Sequence, residues 1–487
     1  MIVTGTAVKR VFIVFFTFAL VFSGMFLQVP NQASAATNQF RGVNWADERD
    51  NFVDGWVIPS GLAASDSYQT VRTKANRILT GFQNNLGANT VRLPINPSSV
   101  LDSWWTSYSG AIDEALALNM KVIVAYWEGA SSRDGLVDNE SQFWSMWQAV
   151  VSKYQNNSNV YFEIFNEPHG YSASAWANFA AQWLNAFPAV PRGRIMVSGS
   201  GYSEDMIAIG NDSRFSDCLL SMHIYAFWGT YTSEEQWRQL FRQRVGNHYN
   251  RTVVTEYGVP MTTGINYNGP INGDVNVAFM YAIPNQMREY GMGSVYWPGL
   301  RSGDSYTIQQ LNGSGTNITL STTNESGKFQ IQWAWGMHGG NTPGFDPNAV
   351  YQVQNRKSGL LLDVNGGSTS TGATVIQWPD NGGTNQQWRI VSAGGDTFSI
   401  VNVKSGLLLD VNGGSSQEGA SVIQWTSNGG ANQRWRIIDI GGGFYDIVNV
   451  NSGLLLDVNG GSTSNGASVI QWSDNNGANQ QWKITKL

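Results

Sequence analysis

"VYFEIFNEPHG", residues 160–170, starts as an apolar strand and ends as a polar run. Val160, Tyr161, Phe162, Ile164 and Phe165 suit a strand buried on both faces, yet Glu163 and Glu167 lie in the same stretch. Ionised carboxylates are costly to bury unless paired or hydrogen-bonded, so each needs a structural or a chemical reason. Four positions apart, they point to one side of a strand at different depths. At roughly 3.3 Å per residue, Glu163 lies more than about 10 Å below Glu167. The expectation is a paired interior acid beneath an acid at the strand's mouth.

Working outward, similar apolar runs recur at 40–45 (FRGVNW), 90–95 (TVRLPI), 120–126 (MKVIVAY), 194–198 (RIMVS), 219–225 (LLSMHIY), 252–256 (TVVTE) and 293–297 (GSVYW). Helical periodicity separates several of them. Trp144, Trp147, Val150, Val151 and Tyr154 share one face, as do Trp176, Phe179, Ala180, Trp183 and Phe187. Eight strands with intervening helices predict an α/β fold, a (β/α)8 TIM barrel, with those tryptophans packing its outer ring.

Chemistry in that fold sits at the C-terminal ends of the strands. Arg92 lies in strand two, Asn166 and Glu167 end strand four, His223 and Tyr225 sit in strand six, Glu256 ends strand seven and Trp297 ends strand eight. Two carboxylates from different strands are the minimal kit for glycoside hydrolysis, one protonating the leaving oxygen and the other attacking the anomeric carbon or activating water. Glu167 and Glu256 are the best-placed pair.

From about residue 350 the chain repeats itself. "SGLLLDVNGG" begins at Ser358, Ser405 and Ser452, a period of 47 that also relates Trp378, Trp425 and Trp472, and Trp388, Trp435 and Trp482. Short β-like runs between Gly-Gly, Asn-Gly and Ser-Gly turns predict a threefold, all-β module. "GMHGGNTPGFDPNA", 336–349, reads as linker.

The remaining features bound the function. Lys9 and Arg10 precede an apolar run from Val11 to Leu27, and Ala33-Ser34-Ala35 supplies a cleavage pattern, so residues 1–35 are expected to be a secretory signal peptide and the protein to be secreted and extracellular. Without them, 27 basic residues face 35 acidic ones, a net charge of −8, which argues against nucleic acid as a partner. No later segment reads as membrane-spanning. Cys218 is the lone cysteine, and His169, His223, His248 and His338 show no metal-ligand spacing, so neither disulfide, metal nor cofactor is expected. A monomer is expected. The 20 Trp and 54 Gly fit a well-packed chain with many turns, and the aromatic surplus also suits stacking on sugar rings.

The three Q-x-W units resemble a ricin-type β-trefoil lectin domain over residues 348–487. The resemblance implies one sugar site per lobe, built from an Asp, an aromatic platform and an Asn: Asp363, Trp378 and Asn385; Asp410, Trp425 and Asn432; Asp457, Trp472 and Asn479. Gln386 and Trp388, Gln433 and Trp435, and Gln480 and Trp482 would be scaffolding. The disulfides common in that family are absent.

The barrel is similar to glycoside hydrolase family five, the cellulase-like retaining enzymes, over about residues 38–335. The likeness rests on "VRLPI" around Arg92, "FEIFNEP" ending at Pro168, "HIY" at 223–225, "TEYG" around Glu256 and "VYW" ending at Trp297. It implies Glu167 as acid/base, Glu256 as nucleophile, Asn166 as partner of the sugar 2-hydroxyl, Arg92, His223 and Tyr225 as tuning groups, and Trp297 as a stacking platform. Charge on Glu256 is expected to keep Glu167 protonated, and Arg92 to keep Glu256 ionised. One departure stands out. Family members commonly carry a histidine where strand three ends, but "VIVAYWEG" offers Tyr126, Trp127 and Glu128, and Trp127 would reshape the glycone side of the cleft.

The expected organisation is a signal peptide (1–35), a hydrolase barrel (36–337), a linker (338–347) and a trefoil (348–487). Residues 301–335 are expected to form a small β excursion at the cleft mouth, with Asp304 and Tyr306 near sugar. The leading expectation is a retaining, endo-acting β-1,4-glucanase whose trefoil holds it near a polysaccharide. A mannanase, another β-glucanase, a galactanase, a transglycosylase and a non-catalytic lectin are the alternatives.

Overall fold

Residues 37–269, 271–337, 345–394, 397–475 and 477–487 are described by the computed structural model. The expected signal peptide and residues 338–344 of the expected linker lie outside them. Eight parallel strands close a barrel in sequence order: β1 (Arg41–Trp45), β2 (Thr90–Ile95), β3 (Lys121–Tyr126), β4 (Val160–Glu163), β5 (Ile195–Ser198), β6 (Leu219–Tyr225), β7 (Thr252–Gly258) and β8 (Gly293–Leu300).

Helices cover the outside, their starts fixed by side-chain caps. Ser67, Asn139 and Ser172 accept from the backbone N–H groups of Thr70, Gln142 and Ala175 at the helices Tyr68–Leu86, Glu140–Tyr154 and Ala173–Ala186. Trp147, Trp176 and Trp183 are buried in the layer between helices and strands. Among the described residues no helix is long and apolar enough to cross a membrane.

Strand alternation divides the barrel interior into tiers. Phe40, Ile123, Tyr161, Met196, Leu219, Val253 and Val295 form an apolar plug at the bottom. One inward step higher, Asn44, Arg92, Glu163, Ser221 and Thr255 make a hydrogen-bonded polar tier. Above it Phe52, Trp127, Tyr225 and Trp297 form an aromatic mouth.

Three strand ends differ from expectation. β4 stops at Glu163, because Ile164 and Phe165 both pack into the outer core and break the alternation. Asn166 and Glu167 therefore stand on the following loop, and a strict period of two does not carry from Glu163 to Glu167. β7 and β8 run past Glu256 and Trp297 to Gly258 and Leu300. In the β6–β7 pairing Met222 faces Val254 while His223 faces Glu256, so Thr255 is an extra residue, a bulge. The bulge turns both Thr255 and Glu256 inward and leaves Tyr257 in the outer core.

After β8 the chain makes a hairpin, β9 (Gln309–Ser314) and β10 (Asn317–Thr322), before the helix Glu325–Ala334. The hairpin lies on the first helix, where Asn85 donates to Gln309 Oε1 and to the Leu320 carbonyl.

The C-terminal part contains twelve strands in three similar units. Six of them (351–355, 388–394, 397–402, 435–441, 444–449 and 481–486) pair in a closed ring. Three hairpins, 361–364 with 375–378, 408–411 with 422–425 and 455–458 with 469–472, cap the ring and bridge one another. Trp388, Trp435 and Trp482 fill its core, each indole donating to a carbonyl of its own hairpin (Leu362, Leu409, Leu456). This part docks directly on the barrel. Phe329 packs with Ile438, Val448 and Leu455, Arg436 donates to Tyr281 Oη at 2.7 Å, and Asn266 donates to the Ser452 carbonyl at 3.1 Å.

Candidate active site

The expected barrel residues converge on one cleft of about 430 Å³ at the C-terminal mouth. Trp127, Glu167, Tyr225, Glu256 and Trp297 line it. Arg92, Asn166 and His223 lie directly beneath, hydrogen-bonded to its acids or to one another.

Arg92 organises the floor. It is 1% exposed and donates to Glu163 through Nε (2.6 Å) and Nη2 (2.8 Å), to Asn166 Oδ1 (2.7 Å), to Asn44 Oδ1 (2.9 Å) and to Glu256 Oε1 (2.5 Å). Burial works against its charge, but Glu163 and Glu256 outweigh burial and its pKa rises. Glu163, fully buried and also accepting from Ser221 Oγ at 2.8 Å, is the interior paired acid that the sequence implies. Its partner is the arginine that also holds Glu256 and Asn166. With Oδ1 taken by Arg92, Asn166 keeps a buried side-chain N–H without a protein partner.

The two upper acids differ in surroundings. Glu256 accepts from Arg92 and, at 2.7 Å, from Tyr225 Oη; burial raises its pKa while His223 and Arg92 oppose the rise. Burial also keeps the Tyr225 phenol protonated, and Glu256 adds to that effect, so the phenol donates. Glu167 has no guanidinium in contact. Burial lifts its pKa to about 7, against the pull of Arg133, His169 and Arg92, and Asp50 adds to the rise. Burial is thus the main cause of the raised Glu167 pKa, Asp50 adds to it, and repulsion between Glu167 and Glu256 acts on the pair. Arg92 does favour ionised Glu256, but it is shared with Glu163 and does not overcome burial.

His223 joins the pair. Its Nδ1 lies 2.9 Å from Glu167 Oε1 and 3.6 Å from Glu256 Oε2. Burial depresses its pKa to about 4, so it is neutral near pH 7. One oxygen each of Glu167 and Glu256 and a His223 ring nitrogen lie within 4.8 Å of one another. That is a set of metal-ligand types, but Arg92 and Tyr225 occupy Glu256 and His223 occupies Glu167. The arrangement is organised to move a proton.

Trp127 directly follows β3 and lines the cleft. It stacks on Trp297 with centroids 5.5 Å apart and planes at 24°, and Phe52 meets it edge-on. Glu128 is neither solvated nor in the cleft wall. At 1% exposure it accepts from the backbone of Asp134 and Gly135 and braces the 129–138 loop, and burial pushes its pKa up to about 8. Asp304 and Tyr306 do line the cleft, with Arg301 donating to Asp304 at 2.7 Å.

Sequence reasoning missed Asp50, Phe52, Arg133, Tyr202, Phe227 and Trp228, all on the cleft wall. They come from loops and from helical turns of three or four residues, too short to show periodicity. The contiguous aromatics of "YAFWG" after β6 were the one usable signal.

In the trefoil part, Trp378, Trp425 and Trp472 are about 40% exposed, while their strand neighbours are buried. Asp363 and Trp378 share one face of their hairpin, diagonally across the pair, and the other two units repeat this. The Asn385, Asn432 and Asn479 amides donate to Asp363, Asp410 and Asp457 at 2.9, 2.9 and 2.8 Å. Gln386, Gln433 and Gln480 donate to loop carbonyls. Each unit thus presents an exposed indole beside an acid–amide pair.

The profile of the cellulase family (glycosyl hydrolase family 5) matches residues 62–299, and that of ricin-type beta-trefoil lectin domain-like proteins matches 330–425 and 431–487. An endoglucanase of Clostridium saccharobutylicum is 32% identical over 162 residues, 31% of this chain and 34% of that protein. Endoglucanase Z of Dickeya dadantii (strain 3937) is 29% identical over 192 residues, 38% of this chain and 40% of that protein. The chain thus spans about a third to two fifths of the length of these curated relatives. Among solved structures, the designed 3-fold symmetric protein ThreeFoil is 48% identical over 28% of this chain and 99% of its own, with a TM-score of 0.28. With its barrel, its paired glutamates and its threefold C-terminal part, the chain contains a glycosyl hydrolase family 5 cellulase domain, matched over residues 62–299, and a C-terminal ricin-type beta-trefoil lectin domain.

Proposed function

We propose that the protein is a secreted, retaining, endo-acting glycoside hydrolase of a polysaccharide, with Glu167 as acid/base and Glu256 as nucleophile. The observation that carries this is the separation of the two carboxylates, whose near oxygens lie within 4.8 Å of each other beside one neutral histidine. Retaining enzymes hold the pair about 5 to 5.5 Å apart, whereas inverting ones leave room for a water at about 6.5 to 9.5 Å.

In the first step Glu256 attacks the anomeric carbon, the glycosidic C–O bond breaks and Glu167 gives its proton to the departing oxygen. In the second, Glu167 takes a proton from water, whose oxygen attacks the same carbon and releases Glu256. Arg92 and Tyr225 stabilise the Glu256 carboxylate as it leaves the anomeric carbon. The open amide N–H of Asn166 suits the sugar's 2-hydroxyl, and Trp297 suits a ring face.

β-1,4-Glucan is the first substrate, supported by likeness to proteins named endoglucanases. A mannan, another β-glucan or a galactan is the second reading, favoured by one observation: Trp127 and Trp297 form a stacked pair where the family's histidine would leave space. Secretion rests on residues 1–35. Incubation with a polysaccharide panel, with reducing ends and product lengths measured, tests both readings. Short products from β-1,4-glucan support the first, and activity confined to another main chain replaces it. Failure on every polysaccharide by a folded protein removes the proposal.

A further inference from the structure

The three trefoil units are alike in Asp, Trp and Asn but differ in charge at several repeated positions, one of which faces the acid–amide pair. The turn after the first ring strand of each unit carries Lys357, Lys404 and Asn451, related by the same period of 47. The folded chain places each of these against the acid–amide pair of a different unit.

Lys404, from the second unit, reaches the first. Its Nζ lies 2.7 Å from the point where a Cβ on Gly367 would stand, and Asn385 Cγ lies 3.7 Å from that same point. Lys357, from the first unit, stands identically at the third, 2.7 Å from the corresponding point on Gly461, with Asn479 Cγ at 3.7 Å. At the second unit the equivalent point on Gly414 meets only Asn432, and Asn451 Nδ2 donates to the Gly414 carbonyl at 2.9 Å. Gly367, Gly414 and Gly461 all have positive φ, so the turns superpose in conformation and differ in what crosses them. Lys404 also acts electrostatically on Asp363, and Lys357 on Asp457, whereas no cation is among the groups acting on Asp410.

We infer that the first and third sites favour sugars bearing a carboxylate, a uronic acid or a uronate-decorated residue, and that the second lacks this preference. This rests on the reading of the trefoil as a sugar binder. Asp and Asn serve ring hydroxyls at all three sites, and an indole of the set is exposed in each unit. Lys357 and Lys404 are exposed, and each adds an ammonium at the edge of its site, where an anionic substituent meets a donor in place of a second acid.

The molecule supplies its own control, since Asn at the second site is compatible with the fold. Titration of the full chain with glucuronate and galacturonate, against glucose and galactose, is followed by calorimetry at low salt. The expected result is three neutral-sugar sites of like affinity, two of which bind uronate about threefold to fivefold more tightly than the remaining one. Lys404→Asn and Lys357→Asn each weaken uronate binding at one site by about threefold to fivefold, as suits a partly exposed ion pair. Asn451→Lys raises uronate binding at the second site to match the other two, and 0.5 M salt abolishes the preference. Neutral-sugar binding at three sites with uronate binding unchanged by the lysine substitutions overturns this inference alone. Absence of binding by every sugar overturns the sugar-binder reading with it.

Discussion

In the barrel a single guanidinium, Arg92, serves four side chains contributed by β1, β4, the loop after β4 and β7, and none of them has a duplicate. In the trefoil each acid takes its amide partners, an Asn and a Gln, from its own unit, and the whole set is present three times. The barrel network is buried and shared, so its members are coupled and removing one strands the others. The trefoil sets are half-open and separate, so they are additive. The difference lies in how much each residue is asked to do.

Substitution within the pair of upper acids is the hardest test. Glu256→Gln and Glu167→Gln are expected to lower kcat by about 10²–10⁴-fold or more while leaving a folded protein, as shown by circular dichroism and steady-state kinetics. Near wild-type turnover in either folded variant removes that residue from the mechanism.

The floor tests sharing. Glu163→Gln leaves Arg92 with fewer counter-charges in a site closed to water, and breaking a buried pair costs about 3–5 kcal/mol. Because Arg92 also holds Glu256 and Asn166, the loss is expected to appear in urea midpoint and in kcat together. A drop in stability with unchanged kcat shows that Arg92 keeps its aim without Glu163.

A pH series separates Glu167 from its neighbours. Its folded pKa of about 7 lies above the unfolded value of about 4.3, so the folded state binds the proton more tightly. The resulting penalty is absent below about pH 4.3, grows as pH rises and is complete above about 7. Glu167→Gln is therefore expected to gain melting temperature relative to the parent between pH 4 and pH 8. Parent kcat/KM is expected to fall as pH rises through about 7, when the acid loses its proton. A melting difference that is flat with pH contradicts burial as the cause of the shift.

The smallest effect is expected in the trefoil. Asp410→Ala should weaken binding of long glycans severalfold and leave kcat on short soluble substrates unchanged, since avidity and chemistry are separate. Combining it with Asp363→Ala and Asp457→Ala should add nearly independently in a pull-down with insoluble polysaccharide.

The same contrast explains what could be read in advance. The eight strands were legible because parallel barrel strands are buried on both faces and appear as apolar runs, of which "KVIVAY" and "TVRLPI" are plain cases. The trefoil was legible because a period of 47 survives any error in strand assignment. Its two classes of tryptophan were separable because one sits with Gln in a turn and the other ends an apolar run, and the first class is buried while the second is exposed. Arg133, Phe52 and Phe227 were illegible because their loops owe their course to tertiary contacts such as the Arg133 guanidinium 3.7 Å over the Phe52 ring. Lys357, Lys404 and Asn451 were visible as letters, but their meaning required knowing that each faces the neighbouring unit's site.

The extra residue in β7 has a consequence for how this barrel can change. Were β6 and β7 paired without interruption, the same residues would send Glu256 toward the helices and Tyr257 toward the cleft, since one step of register exchanges the two faces of a strand. The face on which this acid lies is therefore set by backbone pairing, and Arg92 and Tyr225 hold it there. Two routes to an inactive descendant follow. One replaces the acid and is visible in an alignment. The other regularises the pairing around Thr255, keeps every acid in place in the sequence, and leaves a barrel that looks intact by composition and has lost its second carboxylate.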